Sequence, residues 1–151
     1  MLSLDLQGQV ALVTASSRGI GRSCALMLGR AGARVVVNYL SDEAAAASAA
    51  EEIKQAGGEA IVVQGDASDV PQVEGLVQAA LAQWGRIDIL VANAGARVRV
   101  PLLKTGDGDF QKIFGDNVLS FVALVRAAAP GMIERRYGRI VAMSSWVGKS
   151  G

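Results

Sequence analysis

A chain of 151 residues suits one folded domain, and a hydrophobic content of 51% is too high for a disordered one. Fifteen basic against fourteen acidic residues leave a formal charge of +1, so no strong field recruits nucleic acid or an anionic membrane surface. The absence of histidine removes Ser-His-Asp and Cys-His nucleophilic systems and histidine-ligated zinc, and a single cysteine, Cys24, allows neither an intrachain disulfide nor a cysteine-cluster metal site.

The start of the chain lacks a basic stretch followed by an apolar one, so no secretory signal is expected, and no uninterrupted apolar run approaches the length of a bilayer span. A cytoplasmic protein with no membrane partner and no metal is expected, with Cys24 a small buried thiol. Residues 10–14 form a short β-branched run, the pattern of a strand covered on both faces. A glycine-bearing turn follows, then a helix from about Ile20 with Ile20, Cys24, Leu28 and Ala31 on one face, ended by Gly32. Residues 34–38 read as a second strand, and Ser41 and Asp42 offer N-caps for an alanine-rich helix ending near Gly57 and Gly58.

A third strand covers 60–64, and Asp69 caps a helix whose Val70, Val73, Leu76, Val77, Ala80, Leu81 and Trp84 recur at helical spacing before Gly85. Residues 87–91 make the fourth strand, 95–108 a looser stretch. A long helical pattern then carries Val118, Phe121, Val122, Val125, Ala129 and Met132, with a bend or interruption expected at Pro130. Residues 139–143 make the fifth strand. Repeated strand-helix-strand units imply right-handed crossovers and a parallel sheet with helices on both faces, an α/β doubly wound architecture of the Rossmann type. No repeat or interdomain linker interrupts it, so residues 1–151 read as one domain.

The first turn runs Thr14-Ala15-Ser16-Ser17-Arg18-Gly19-Ile20-Gly21, between a strand and a helix, as a dinucleotide site requires. Glycines there let backbone approach a pyrophosphate, and the helix N-terminus directs N–H groups and partial positive charge at it. At the tip of the second strand, where an acidic residue would hold ribose hydroxyls in a NAD-selecting unit, the sequence has Asn38, Tyr39, Leu40 and Ser41. No carboxylate appears before Asp42 to repel a 2′-phosphate, and Arg18 offers that phosphate a guanidinium. NADP(H) is therefore the expected cofactor.

The turn resembles the Thr-Gly-x-x-x-Gly-x-Gly fingerprint of the short-chain dehydrogenases/reductases, in the 3-oxoacyl-[acyl-carrier-protein] reductase-like branch. Ala15 replaces the first glycine; its methyl is tolerable at a negative φ and strained at a positive one, and a tolerated variant with weaker cofactor affinity is expected. The resemblance implies cofactor contacts from Thr14, Ser16, Ser17, Arg18, Gly19, Ile20 and Gly21, and adds Asn38 and Ser41 as phosphate or ribose partners. Gly65-Asp66-Ala67 is similar to the family's Asp-Val/Ala-Ser element, which implies that Asp66, with Ala67 beside it, accepts from the adenine amino group; a plain turn is the other reading. Asn93-Ala94-Gly95 resembles the family's Asn-Asn-Ala-Gly with Ala92 in place of the first asparagine, and implies a loop lying against the cofactor ribose.

By the same resemblance Ser145, in Met143-Ser144-Ser145-Trp146-Val147-Gly148, is the catalytic serine that binds the substrate carbonyl and developing oxyanion. Asn117 is the asparagine that orders a water in the proton relay. Asp116 stands before it where the family often has a small apolar residue. The family's acid is a tyrosine in Tyr-x-x-x-Lys, whose lysine lowers the tyrosine pKa. Neither Tyr39 nor Tyr137 is followed by lysine four positions on, and the family spacing puts that pair beyond residue 151.

The likeness spans five strands, in expected order 3-2-1-4-5, of the seven-stranded family fold. With Lys149-Ser150-Gly151 reading as mid-loop, the chain is expected to be the N-terminal portion of a longer domain, with an exposed edge on the fifth strand. The expected activity is NADP(H)-dependent hydride transfer on a small-molecule carbonyl or alcohol, a 3-oxoacyl thioester among the candidates, in a homo-oligomer (dimer or tetramer) when full length. The 151 residues alone are expected to be inactive. The alternatives are a non-catalytic NADP(H)-binding module, or a flavin or other nucleotide protein on the same fold.

Overall fold

A computed structural model describes residues 4–97 and 99–146. The readings made above on residues 1–3, on Val147 and Gly148, and on the final Lys149-Ser150-Gly151 lie outside them.

The β-branched runs form strands β1 (Val10–Val13), β2 (Arg34–Tyr39), β3 (Glu59–Gln64), β4 (Ile89–Ala92) and β5 (Arg139–Ala142). They pair in parallel in the order β3-β2-β1-β4-β5, with Val10 opposite Arg34 and Ala11 opposite Ile89. Between them run helices α1 (Gly19–Arg30), α2 (Glu43–Gln55), α3 (Val70–Trp84), α4 (Asp107–Phe114) and α5 (Ser120–Glu134). The side chains of β1 alternate between the two faces, as strand geometry demands. Ala11 and Val13 join α1 and α2 through Ala25, Leu26, Ala46, Ala49 and Ile53. Val10 and Leu12 join α3 and α5 through Val73, Leu76, Leu124, Ala128 and Met132. The expected doubly wound Rossmann-type layering is present. β5, at the sheet edge, is exposed along its length.

Several local readings are corrected. Helix α1 buries Gly21, Ala25, Leu26 and Gly29, while Ile20 is 62% exposed. Cys24, Leu28 and Ala31 are only partly buried, because tight packing here favours the smaller face, where Gly29 lies against Ile53. Val70, Val118 and Val122 are exposed rather than in the core stripe. Strand β4 starts two residues later than expected, at Ile89. The stretch after it is not wholly loose: it holds a 3₁₀ turn, Leu102–Lys104, and the first residues of α4.

The long helical pattern is interrupted at Gly115–Leu119, a π-helical segment, and passes through Pro130 without a break to Glu134. An extra residue in a helical turn is a recognised feature of functional sites. Taken together, Asp107–Glu134 is 28 residues with a window of mean hydropathy 1.3, long and apolar enough by length and composition to cross a membrane. That measure finds a span where the run-by-run reading does not. Within the fold Leu124, Ala128 and Met132 of this helix pack against the sheet and α3.

Candidate functional site

Strand order reverses between β1 and β4, and in such sheets ligands bind outside the carboxyl ends of the strands at that point. Four of the polar residues expected there turn out to tie the strand tips together. Thr14 Oγ1 accepts from the backbone N–H groups of Asn93 and Ala94, at 3.0 Å each. The Asn93 side-chain amide donates to the carbonyls of Thr14 (3.0 Å) and Ala15 (3.2 Å). Ser16 Oγ donates to the Val13 carbonyl at 2.7 Å and accepts from Asn38 N–H at 2.9 Å. Asn38 Oδ1 accepts from Ala15 N–H (2.9 Å), and its amide donates to the carbonyls of Gly65 (3.0 Å) and Val63 (3.3 Å).

Thr14, Ser16 and Asn38 are buried. Asn38 lines the first cleft described below, and its side chain joins the glycine turn to the end of β3. Buried amides left without partners are costly, and this one has them all.

The turn itself crosses into left-handed backbone twice, at Ala15 (φ 49°) and Gly19 (φ 58°). The strained alternative for Ala15 is the one the structure adopts. Gly21 is held against the turn: a Cβ there would lie 2.5 Å from the Ala15 carbonyl oxygen and 2.5 Å from Asn93 Nδ2. Helix α1 thus begins directly beneath the crevice. No side chain caps its N-terminus, whereas Asp42 accepts from Ala45 N–H at the start of α2 and Asp69 from Gln72 N–H at the start of α3. No acidic residue sits in the first turn of α1. Its leading N–H groups and dipole suit a phosphate.

Two clefts open above these tips. The first, about 330 Å³, is lined by Ser17, Arg18, Ser41, Asp66 and Ala67, among others. Arg18 is exposed and makes no ion pair among the described residues. Asp42 also lines this cleft, with its Oδ1 held by the α2 cap at 2.9 Å. Asp66 Oδ1 accepts from Ser68 Oγ (2.7 Å) and Ser68 N–H (2.8 Å). The Ser68 hydroxyl, then its N–H, hold the Asp66 carboxyl below its ordinary value, with a smaller contribution from the Lys112 charge. Asp66 is thus a turn-former with a carboxylate facing the cleft.

The second cleft, about 640 Å³, is lined by Ile20, Asn93, Asn117, Ser144 and Ser145, among others. Ala94, Gly95 and Ala96 belong to both clefts, so the two meet over that loop. Asn117 lies in the π-helical segment. Its amide donates to the carbonyls of Ile113 (2.8 Å) and Ala96 (3.0 Å), and a Cβ on Gly95 would meet its Oδ1 at 2.6 Å. A side chain at position 95 would displace the Asn117 amide.

Sequence reasoning missed Lys112 and Asp116 as walls of the first cleft and Arg97 as a wall of the second. The unusual acid at position 116, with lysine one helical turn before it, was the available signal.

The model of the family described as short chain dehydrogenase matches residues 9–151. An uncharacterized oxidoreductase of Methylorubrum extorquens is 42% identical over 142 residues, which cover 94% of this chain and 56% of that protein. A 3-oxoacyl-[acyl-carrier-protein] reductase of Synechocystis is 38% identical over 146 residues, 97% of this chain and 59% of the relative. Among solved structures, a 7α-hydroxysteroid dehydrogenase complexed with NADH and 7-oxo glycochenodeoxycholic acid superposes with a TM-score of 0.93 at 32% identity. The match covers 99% of this chain and 58% of that one. The chain thus spans between half and three-fifths of the length of these proteins.

Proposed function

The chain belongs to the short-chain dehydrogenase family, and on that premise we propose that residues 1–151 form a dinucleotide-binding domain that holds NADP(H) across the two joined clefts. The observation that carries this reading is the uncapped start of α1 beneath the crevice, with Gly21 pressed against the turn where any side chain would intrude. The residues present fit a dinucleotide. The first turn of α1, with Gly19 and Ile20, receives the pyrophosphate; Ser17, Arg18 and Ser41 surround the adenosine 2′-phosphate; Asp66 and Ala67 face the adenine. Ala94 and Gly95 form the floor beneath the ribose that leads into the second cleft.

The related hydroxysteroid dehydrogenase carries NADH. Preference for the phosphorylated cofactor rests instead on Arg18, which has no ion partner among the described residues, and on the absence of a carboxylate at the tip of β2.

When bound, the nicotinamide supplies the hydride chemistry for a carbonyl/alcohol pair. In the second cleft Ser145 holds the substrate oxygen by its hydroxyl and stabilises charge developing there. Asn117, fixed by its two carbonyl contacts, positions the proton path along the π-helical segment. The exposed apolar residues Phe110, Phe114, Leu119 and Val122 supply the surface for assembly into an oligomer. The 151 residues include no tyrosine with lysine four positions on, so binding without turnover is the reading for this chain by itself.

Titration of the chain with NADPH and with NADH tests the proposal. NADPH is expected to bind at least about tenfold more tightly, the scale of one charge-assisted hydrogen bond. Equal affinities would contradict the phosphate assignment.

A further inference from the structure

We propose that Asp116 and Lys112 read the edge of the adenine ring, Asp116 accepting from the exocyclic amino group and Lys112 donating to the neighbouring ring nitrogen. The inference rests on the cofactor reading above and extends it to residues that reading does not use.

The two side chains lie one helical turn apart, with Lys112 Nζ 2.8 Å from Asp116 Oδ2. Their exposures differ sharply: the carboxylate is 15% exposed and the ammonium 64%. An ordinary surface pair has both ends in water. Here the acid is tucked into the wall of the first cleft and the base stands at its rim, with Asp66, Gly65 and Ala67 lining the same cleft. Asp116 Oδ1 accepts no hydrogen bond among the described residues. Asp66 has one oxygen occupied twice by Ser68, which leaves that carboxylate a single free oxygen for the base. The Lys112 charge reaches Asp66 as well, so the three groups share one electrostatic neighbourhood.

On its Watson–Crick edge adenine presents a donor, its amino group, beside an acceptor, the ring nitrogen N1. The pair presents an acceptor beside a donor. The match is complementary for adenine and inverted for hypoxanthine, whose carbonyl would face the carboxylate and whose ring N–H would face the ammonium. Specificity gained by such opposition is as effective as specificity gained by attraction.

The test compares NADPH with its hypoxanthine analogue, in which the amino group is replaced by an oxo group, by titration of the parent chain and of Asp116→Asn and Lys112→Met. The parent is expected to prefer NADPH by roughly tenfold or more. Asp116→Asn, whose amide can turn either way, is expected to bring the two ligands within about threefold. Lys112→Met, at an open position that does not endanger the fold, is expected to weaken NADPH while leaving or improving the analogue. A preference that survives both substitutions would assign the base to Asp66 alone and overturn the proposal, as would a parent chain that binds both ligands equally. A folded parent that binds neither dinucleotide would overturn the cofactor reading beneath it.

Discussion

A methyl group on Gly21 would come to rest 2.5 Å from the carbonyl oxygen of Ala15, so the first turn of α1 and the end of β1 touch at a point that only glycine permits. The same imaginary atom lies 2.5 Å from Asn93 Nδ2, which donates to that carbonyl. Three elements meet there: the turn, the helix and the tip of β4. Gly21→Ala is expected to push the turn and Asn93 apart, to cost about 1–3 kcal/mol of stability, and to abolish measurable nucleotide binding. Chemical denaturation and a cofactor titration check the two effects. An alanine variant that keeps both would show that the contact yields without consequence.

Ala15 sits at φ 49°, where a side chain is strained by about 1–2 kcal/mol. Glycine removes that strain but adds disorder to the unfolded chain, a loss of roughly 0.4–1 kcal/mol. Ala15→Gly is therefore expected to raise stability by a net of about 0.5–1 kcal/mol. A lower melting temperature in the variant would contradict the left-handed assignment.

The Ser68 hydroxyl is the largest influence on Asp66, and it lowers that carboxyl below its ordinary 3.8. A carboxyl lowered in the folded state contributes stability that is fully present above its unfolded value. That contribution is lost as pH falls through the folded value. Ser68→Ala, which keeps the backbone N–H, is expected to raise the Asp66 pKa part of the way toward 3.8 and to reduce this acid-side contribution, leaving the pH dependence of stability above neutrality unchanged. Carboxyl resonances followed by NMR through an acid titration check it; an Asp66 that titrates unchanged would sink the assignment.

Much of this architecture is legible in the sequence, for identifiable reasons. Strands buried on both faces leave unbroken β-branched runs, as in Val35, Val36 and Val37, and caps such as Asp42 and Asp69 announce helices directly. The placing of Thr14, Asp66 and Asn93 at strand tips follows from that alternation, while the reversal of strand order is implied by the family resemblance. What the sequence conceals is division of labour. Asn38 and Ser16 read as ligands because they stand at the right tips; what the sequence does not show is that both also bond backbone there, Asn38 to the Val63 and Gly65 carbonyls and Ser16 to that of Val13. Nothing local distinguishes an amide that faces a cleft from one that closes it. Ile20 misleads because an apolar residue at the mouth of a cleft has the same periodicity as one in the core. The π-helical segment around Asn117 is hidden too, since one residue too many in a turn leaves no compositional mark, whereas Pro130 leaves a conspicuous one without interrupting α5.

The central claim is that Arg18 supplies the charge that selects a phosphorylated dinucleotide, and the affinities of Arg18→Ala for NADPH and NADH test it most directly. The account predicts that NADPH binding weakens by about tenfold or more while NADH binding changes little, so that the preference of the parent chain collapses. Equal losses for the two cofactors, in a variant that remains folded, would contradict it.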